Sequence, residues 1–199
     1  MSVKMVIIQG SPRKNGSTRF LSSVMAQSAQ GAKAQVSEID GTKLSFKIPG
    51  CIGCGSCHES EQYSCVVDDE LAKTTAGLVN YDVLAFATPT YWMSYPAQLK
   101  MMVDRMGSLV KFDQSGSVQT PLSGKVLAVM ATGNDGMEDN MALLEGQVKS
   151  LAHMLSCQFH SCMFPNIPRD LSTLREDSRL IEKAGEFGRL LSTAKEHHL

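Results

Sequence analysis

Short apolar runs alternate along the chain with stretches whose apolar residues recur at helical spacing. The run at residues 3–8 (VKMVII) stops just short of Gly10, the pattern of a buried parallel strand closed by a tight turn. A polar segment, SPRKNGST, follows. FLSSVMAQSA then predicts a helix with Ser17 or Thr18 as its N-cap. Residues 34–39 read as a second strand. Asp68 and Asp69 are positioned to cap a helix through Leu71, Leu78 and Val79. Residues 81–87 (YDVLAFA) form the clearest buried strand and open into TPTYW. Residues 96–110 predict a helix with Leu99, Met102, Val103 and Met106 on one face. Residues 126–131 read as a strand followed by TGNDG, 137–155 as a long helix, 158–163 as a last strand and 174–194 as a last helix.

Strands alternating with helices imply a parallel sheet covered on both faces. Five strands fit a flavodoxin-like three-layer α/β sandwich with strand order 2-1-3-4-5. No repeat or low-complexity linker interrupts the pattern, so residues 1–199 read as a single domain. The exception is a loop at about residues 41–66, where no helix or strand pattern is clear. Loops of that length in an economical fold usually carry function, and this one holds Cys51, Cys54, Cys57 and Cys65.

Charge narrows the function. The chain has 19 Lys+Arg against 20 Asp+Glu, a balance that argues against nucleic acid as a partner. No apolar run approaches the roughly 20 residues of a membrane span. The N-terminal MSVKMVIIQGSPRK turns polar too soon for a signal peptide. The expected location is cytoplasmic, where clustered cysteines serve as metal ligands or redox thiols rather than as disulfides. Cys157 and Cys162 lie in an apolar stretch and read as buried small hydrophobes.

In an open α/β sheet, ligands bind beyond the carboxyl ends of the strands. Three loops lie there. The first contains Ser11, Arg13, Asn15, Gly16, Ser17 and Thr18 and leads into a helix N-terminus, a combination suited to a phosphate. Neither GxxxxGK[ST] nor GxGxxG is present. The second, TPTYWMSY, carries the single Trp of the chain and two of its four Tyr, and suits a flat conjugated ring. The alternative is that Trp92 is a core or interface residue. The third, at residues 131–136, offers small residues and backbone groups. A phosphate pocket beside an aromatic slot matches flavin mononucleotide (FMN).

The cysteines are spaced C-x2-C-x2-C, with seven residues before the fourth and no Pro after it. Iron–sulfur ligation, zinc and free thiols are all compatible with four clustered cysteines. Even spacing of the first three suits a cubane better than the paired knuckles of zinc sites. His58 reads as an exposed neighbour of Cys57 rather than a ligand. Asp104 and Arg105 read as structural or interface residues. No general acid–base pair or nucleophile–base arrangement is visible, as in an enzyme whose cofactor does the chemistry.

GSPRKNGST, TPTYW and PAQLKMMVDR resemble the NADPH-dependent FMN reductase family over residues 1 to about 165. CIGCGSC with a fourth cysteine downstream is similar to that family's iron-sulfur flavoprotein branch. The resemblance implies that Ser11, Arg13, Asn15, Ser17 and Thr18, in the loop with Gly16, hold the FMN phosphate. It puts Pro89, Thr90, Tyr91, Trp92 and Ser94 around the ribityl chain and ring, and Thr132 and Gly133 at the ring's other edge. Cys51, Cys54, Cys57 and Cys65 would hold a [4Fe–4S] cluster. The implied activity is an FMN-dependent oxidoreductase, with NAD(P)H as a possible donor. It would reduce a quinone, a flavin or another small acceptor, or exchange electrons with a ferredoxin-like protein. A homodimer or homotetramer is implied as well. Two alternatives stand beside it: an NAD(P)H-dependent FMN or quinone reductase without a cluster, and a non-catalytic flavodoxin-like electron carrier.

Overall fold

A computed structural model describes residues 2–168 and 170–194. Its central feature is a five-stranded sheet of β1 (Lys4–Gln9), β2 (Gln35–Asp40), β3 (Val83–Pro89), β4 (Val126–Thr132) and β5 (Gln158–Phe164). The spatial order is β2-β1-β3-β4-β5 and every pairing is parallel. This is the flavodoxin-like order expected from the alternation. VLAFAT in β3 and VLAVMAT in β4 are buried throughout, which is why they read as continuous apolar runs.

Side-chain alternation divides the core in two. Met5 and Ile7 of β1 pack with Ala85, Ala128 and Met130 under α1 (Ser17–Gly31) and α7 (Ser178–Ser192). Val6 and Ile8 pack with Leu84, Phe86, Leu127 and Val129 under α3 (Glu70–Gly77), α4 (Ala97–Arg105) and α5 (Ala142–Met154). Helices α1 and α7 approach closely at Gly188. A Cβ there would lie 2.2 Å from the Met25 carbonyl oxygen, so only glycine fits.

Several element boundaries differ from the sequence reading. The last helix is two, α6 (Leu171–Glu176) and α7, each started by an aspartate. Asp170 accepts from the Thr173 amide, and Asp177 from the amides of Arg179 and Leu180. An apolar period does not register such a cap-driven break. The cap of α1 is Gly16, and Ser17 lies inside the first turn. Asp69 caps α3 as expected, at 2.8 Å from the Ala72 amide. Helix α4 gives way to a 3₁₀ turn at Met106–Leu109, and a π turn at Met137–Met141 precedes α5. The 41–66 segment contains one short helix, α2 (Ser56–Glu59). A small hairpin joins Lys111–Phe112 to Val118–Gln119.

Candidate functional site

The carboxyl ends of β1, β3, β4 and β5 are tied together by backbone bonds. The Gly10 amide donates to Ala87, that of Thr90 to Thr132, and that of Gly133 to Phe164, at 2.8, 2.8 and 3.0 Å. One pocket opens above them. Ser11, Arg13, Gly16, Ser17, Pro89, Thr90, Tyr91, Thr132 and Gly133 line it, joined by Asn134 and Ile167. Gly16 has no side chain to satisfy the first amides of α1, so the positive end of that helix faces the loop without a cap. The buried hydroxyl of Thr90 has no hydrogen-bond partner within the protein. An orphaned hydroxyl on a pocket wall awaits a ligand or water oxygen.

Other expected residues lie beside this pocket or beneath it. Thr18 is buried, and its hydroxyl meets that of Thr132 at 2.7 Å, below the pocket floor. Asn15 faces a neighbouring groove with Lys14, Arg19, Phe20 and Arg175. Tyr91 and Ser94 exchange backbone bonds at 2.8 and 3.1 Å around Trp92 and Met93. Both corner residues have positive φ, at 48° and 62°, as a type I′ turn requires. For residues other than glycine this costs on the order of 1 kcal/mol each. The turn holds Trp92 92% exposed, on a shallow groove with Thr90, Asp135, Glu138 and Asn140. Trp92 is therefore not a core residue. The Ser94 hydroxyl is engaged with Gln147 at 2.8 Å.

A second cavity, of about 250 Å³, is lined by Cys51, Cys54, Cys57 and Cys65 together. Gly50, Gly53 and Gly55 all have left-handed backbone, with φ of 64°, 69° and 75°. They curl CIGCGSC into a bowl, and the Gly53 amide lies 3.4 Å from the Cys51 sulfur. Hydrogen bonds from Ser56 lower the Cys54 thiol below its usual range. Burial raises the Cys57 thiol, reinforced by the charges of Cys65, Cys51 and Cys54. Among the described residues, no three His, Cys, Asp or Glu side chains converge on a single metal ion. The four thiols ring a cavity instead.

Two cations from outside the loop fix its shape. Arg105, at the end of α4, is only 2% exposed. It donates to the carbonyls of Ile48 and Gly50, to Asp69 and to the Cys65 sulfur. Lys111 donates to the carbonyls of Cys57, Ser60 and Gln62. The His58 ring, which also lines the cavity, meets the Val110 carbonyl through Nδ1 at 3.0 Å.

Residues 3–162 match the model of the NADPH-dependent FMN reductase family. The chain belongs to that family. FMN reductase relatives include an iron-sulfur flavoprotein of Methanosarcina thermophila, 28% identical over 137 residues, which are 68% of each chain. An iron-sulfur flavoprotein of Methanocaldococcus jannaschii is 29% identical over 139 residues, 68% of this chain and 66% of its own. Among solved structures, an azoreductase from Bacillus anthracis superposes with a TM-score of 0.71 at 14% identity, covering 96% of this chain and 98% of its own. That last likeness is one of fold. Family membership makes the chain an FMN-dependent oxidoreductase.

The first pocket suits the family's cofactor. It offers an uncapped helix N-terminus for a phosphate and the free Thr90 hydroxyl for a polar chain. The cysteine cavity suits a cluster in donor type and arrangement, since a cubane gives each thiolate its own iron. Cys157 and Cys162 stand apart, their thiols pushed up to about 11 by burial. Sequence reading included Asn134 only as part of the third loop, passed over Ile167 and Lys111, and linked Arg105 to no cysteine. One signal for Arg105 was available, because it falls three residues after Met102 on the apolar face of α4. Among the described residues no helix is long and apolar enough to cross a membrane.

Proposed function

We propose that this FMN-dependent oxidoreductase carries a second redox centre, a [4Fe–4S] cluster held by Cys51, Cys54, Cys57 and Cys65. The observation that carries the reading is the shared cavity. Four cysteines spread over fifteen residues line one space, apart from the pocket at the head of α1. The names of the two archaeal relatives support it.

The chain's own groups have defined roles in this reading. Ser11, Ser17 and the first amides of α1 hold the phosphate, with Arg13 at the rim. Thr90 takes an oxygen of the ribityl chain. Thr132 and Gly133 form the wall opposite Pro89 and Tyr91. Trp92 and Met93 stand on the adjoining groove, which shares Thr90 with the pocket. When bound, FMN supplies both two-electron and one-electron chemistry, and the cluster supplies one-electron exchange. NAD(P)H is the proposed donor. The proposed acceptor is a small oxidant such as a quinone or a flavin, or a ferredoxin-like protein.

The cysteine cavity has an apolar rim. Ile52, Val66 and Phe112 are exposed around it or close by, as are Cys51 and Cys54 themselves. Such a rim suits a protein surface, either an electron-transfer partner or a second copy of the chain. Anaerobic purification followed by a visible spectrum tests the reading. Flavin bands with an added broad absorbance near about 400 nm support two centres. Flavin bands alone, with NAD(P)H-driven quinone turnover, would leave a plain reductase.

A further inference from the structure

The four cysteines are not held alike. Cys51 and Cys54 take hydrogen bonds from Gly53 and Ser56, neighbours within their own loop. Cys65 follows Cys57 by seven intervening residues, so chain connectivity fixes it least. It receives its donor from another element: Nη1 of Arg105 lies 3.1 Å from the Cys65 sulfur.

That donor is aimed from inside the protein. Nη2 of Arg105 is held by the Ile48 carbonyl at 2.9 Å and by Asp69 at 3.0 Å, and Nε by the Gly50 carbonyl. Asp69 is itself fixed by the amides of Ala72 and Lys47, at 2.8 and 3.1 Å. Asp69 also reaches Nη1 at 3.5 Å, and a planar guanidinium anchored at all three nitrogens leaves its remaining Nη1 N–H in a set direction. The pair is buried, with side-chain exposures of 1% for Arg105 and 3% for Asp69. Such a buried pair is expensive in stability, and an apolar pair of similar size often serves as well. Its placement against a thiol points to a use beyond packing.

We propose that Arg105 is the positioning residue for Cys65 and that its N–H bond to the sulfur sets the reduction potential of the metal centre. This rests on the cluster reading above. Hydrogen bonds to ligand sulfurs are one of the protein's levers on cluster potential. A donor bearing positive charge stabilises the more negative, reduced state and raises the potential. Asp69 has the opposite effect, offsetting part of the guanidinium's charge.

The two residues therefore make a test with opposite signs. Arg105→Met removes the donor and leaves the carboxylate. Asp69→Asn keeps the guanidinium and removes the opposing charge, and Asn remains a good helix cap. Iron, sulfide and FMN content and the midpoint from an EPR-monitored titration are measured on anaerobically reconstituted wild type and both variants. In Arg105→Met the midpoint is expected to fall by at least a tenfold change in the reduction constant, about 59 mV for a one-electron couple. In Asp69→Asn it is expected to rise. FMN content stays the same in both. If both midpoints stay put, or both move in one direction, the proposal is overturned. Should Arg105→Met fail to fold, an unmoved or lowered midpoint in Asp69→Asn overturns it alone. Wild type without iron removes the cluster reading and this one with it. Iron present with no change in midpoint removes only this one.

Discussion

Thr18 and Thr132, 114 residues apart in the chain, share a buried hydrogen bond of 2.7 Å beside the pocket at the head of α1. The bond fastens the first turn of α1 to the end of β4. It joins the loop proposed to hold the phosphate to the strand that lines the opposite wall.

Thr18→Val keeps the shape and removes one hydroxyl. The Thr132 hydroxyl is then left buried without this partner, at a cost of about 1–3 kcal/mol. Urea unfolding should show that loss. Thr18→Val/Thr132→Val together should cost less than the sum of the singles, because the pair acts as a unit. Additive costs would mean that the bond does not couple the two elements.

Ser17→Glu puts a negative charge in the first turn of α1, at the pocket wall. An acidic residue is favourable to the helix there, so folding should be unaffected. Repulsion of about 1–3 kcal/mol should weaken FMN binding roughly 10- to 100-fold. Fluorescence titration of apoprotein with FMN reads this directly. Wild-type affinity in the variant would remove the phosphate from this loop.

Lys111 closes the stretch between Cys57 and Cys65. Its ammonium takes three carbonyls of that segment, including Gln62 at 3.0 Å. Lys111→Ala should make residues 57–65 more sensitive to protease and lower the iron retained, with FMN content unchanged. Protection equal to wild type would show that the segment holds itself.

The thiols should separate by reactivity in the metal-free protein, because the thiolate is the attacking form. Cys54 is exposed and lowered below the usual thiol range. Cys157 and Cys162 are raised to about 11. Iodoacetamide at about pH 8 should label Cys54 rapidly and leave the other two nearly untouched. Raising the pH toward 11 should bring in the half-buried Cys157 ahead of the buried Cys162. Early labelling of Cys162 would contradict its buried position.

The sheet was legible in the sequence because β3 and β4 are buried on both faces and so leave unbroken apolar runs. The convergence of the three loops on one pocket was legible because strand ends converge by topology. Side-chain direction was not. Whether Trp92 points inward or outward depends on a positive-φ turn that its own residue types do not announce. Thr18 looks like a phosphate ligand by position, and its buried hydroxyl bonds to Thr132. The cysteine spacing was plain. The means of bringing Cys65 back was not, because Arg105 and Lys111 reach the loop from 40 or more residues downstream.

The central claim is that one chain holds flavin and cluster at separate sites. Iron, sulfide and FMN counted per chain in anaerobically reconstituted wild type and Cys54→Ser test it most directly. The account predicts one FMN in both proteins, a full [4Fe–4S] complement in wild type and a marked loss of iron in the variant. Equal iron in the two proteins, or FMN lost together with the iron, would contradict it.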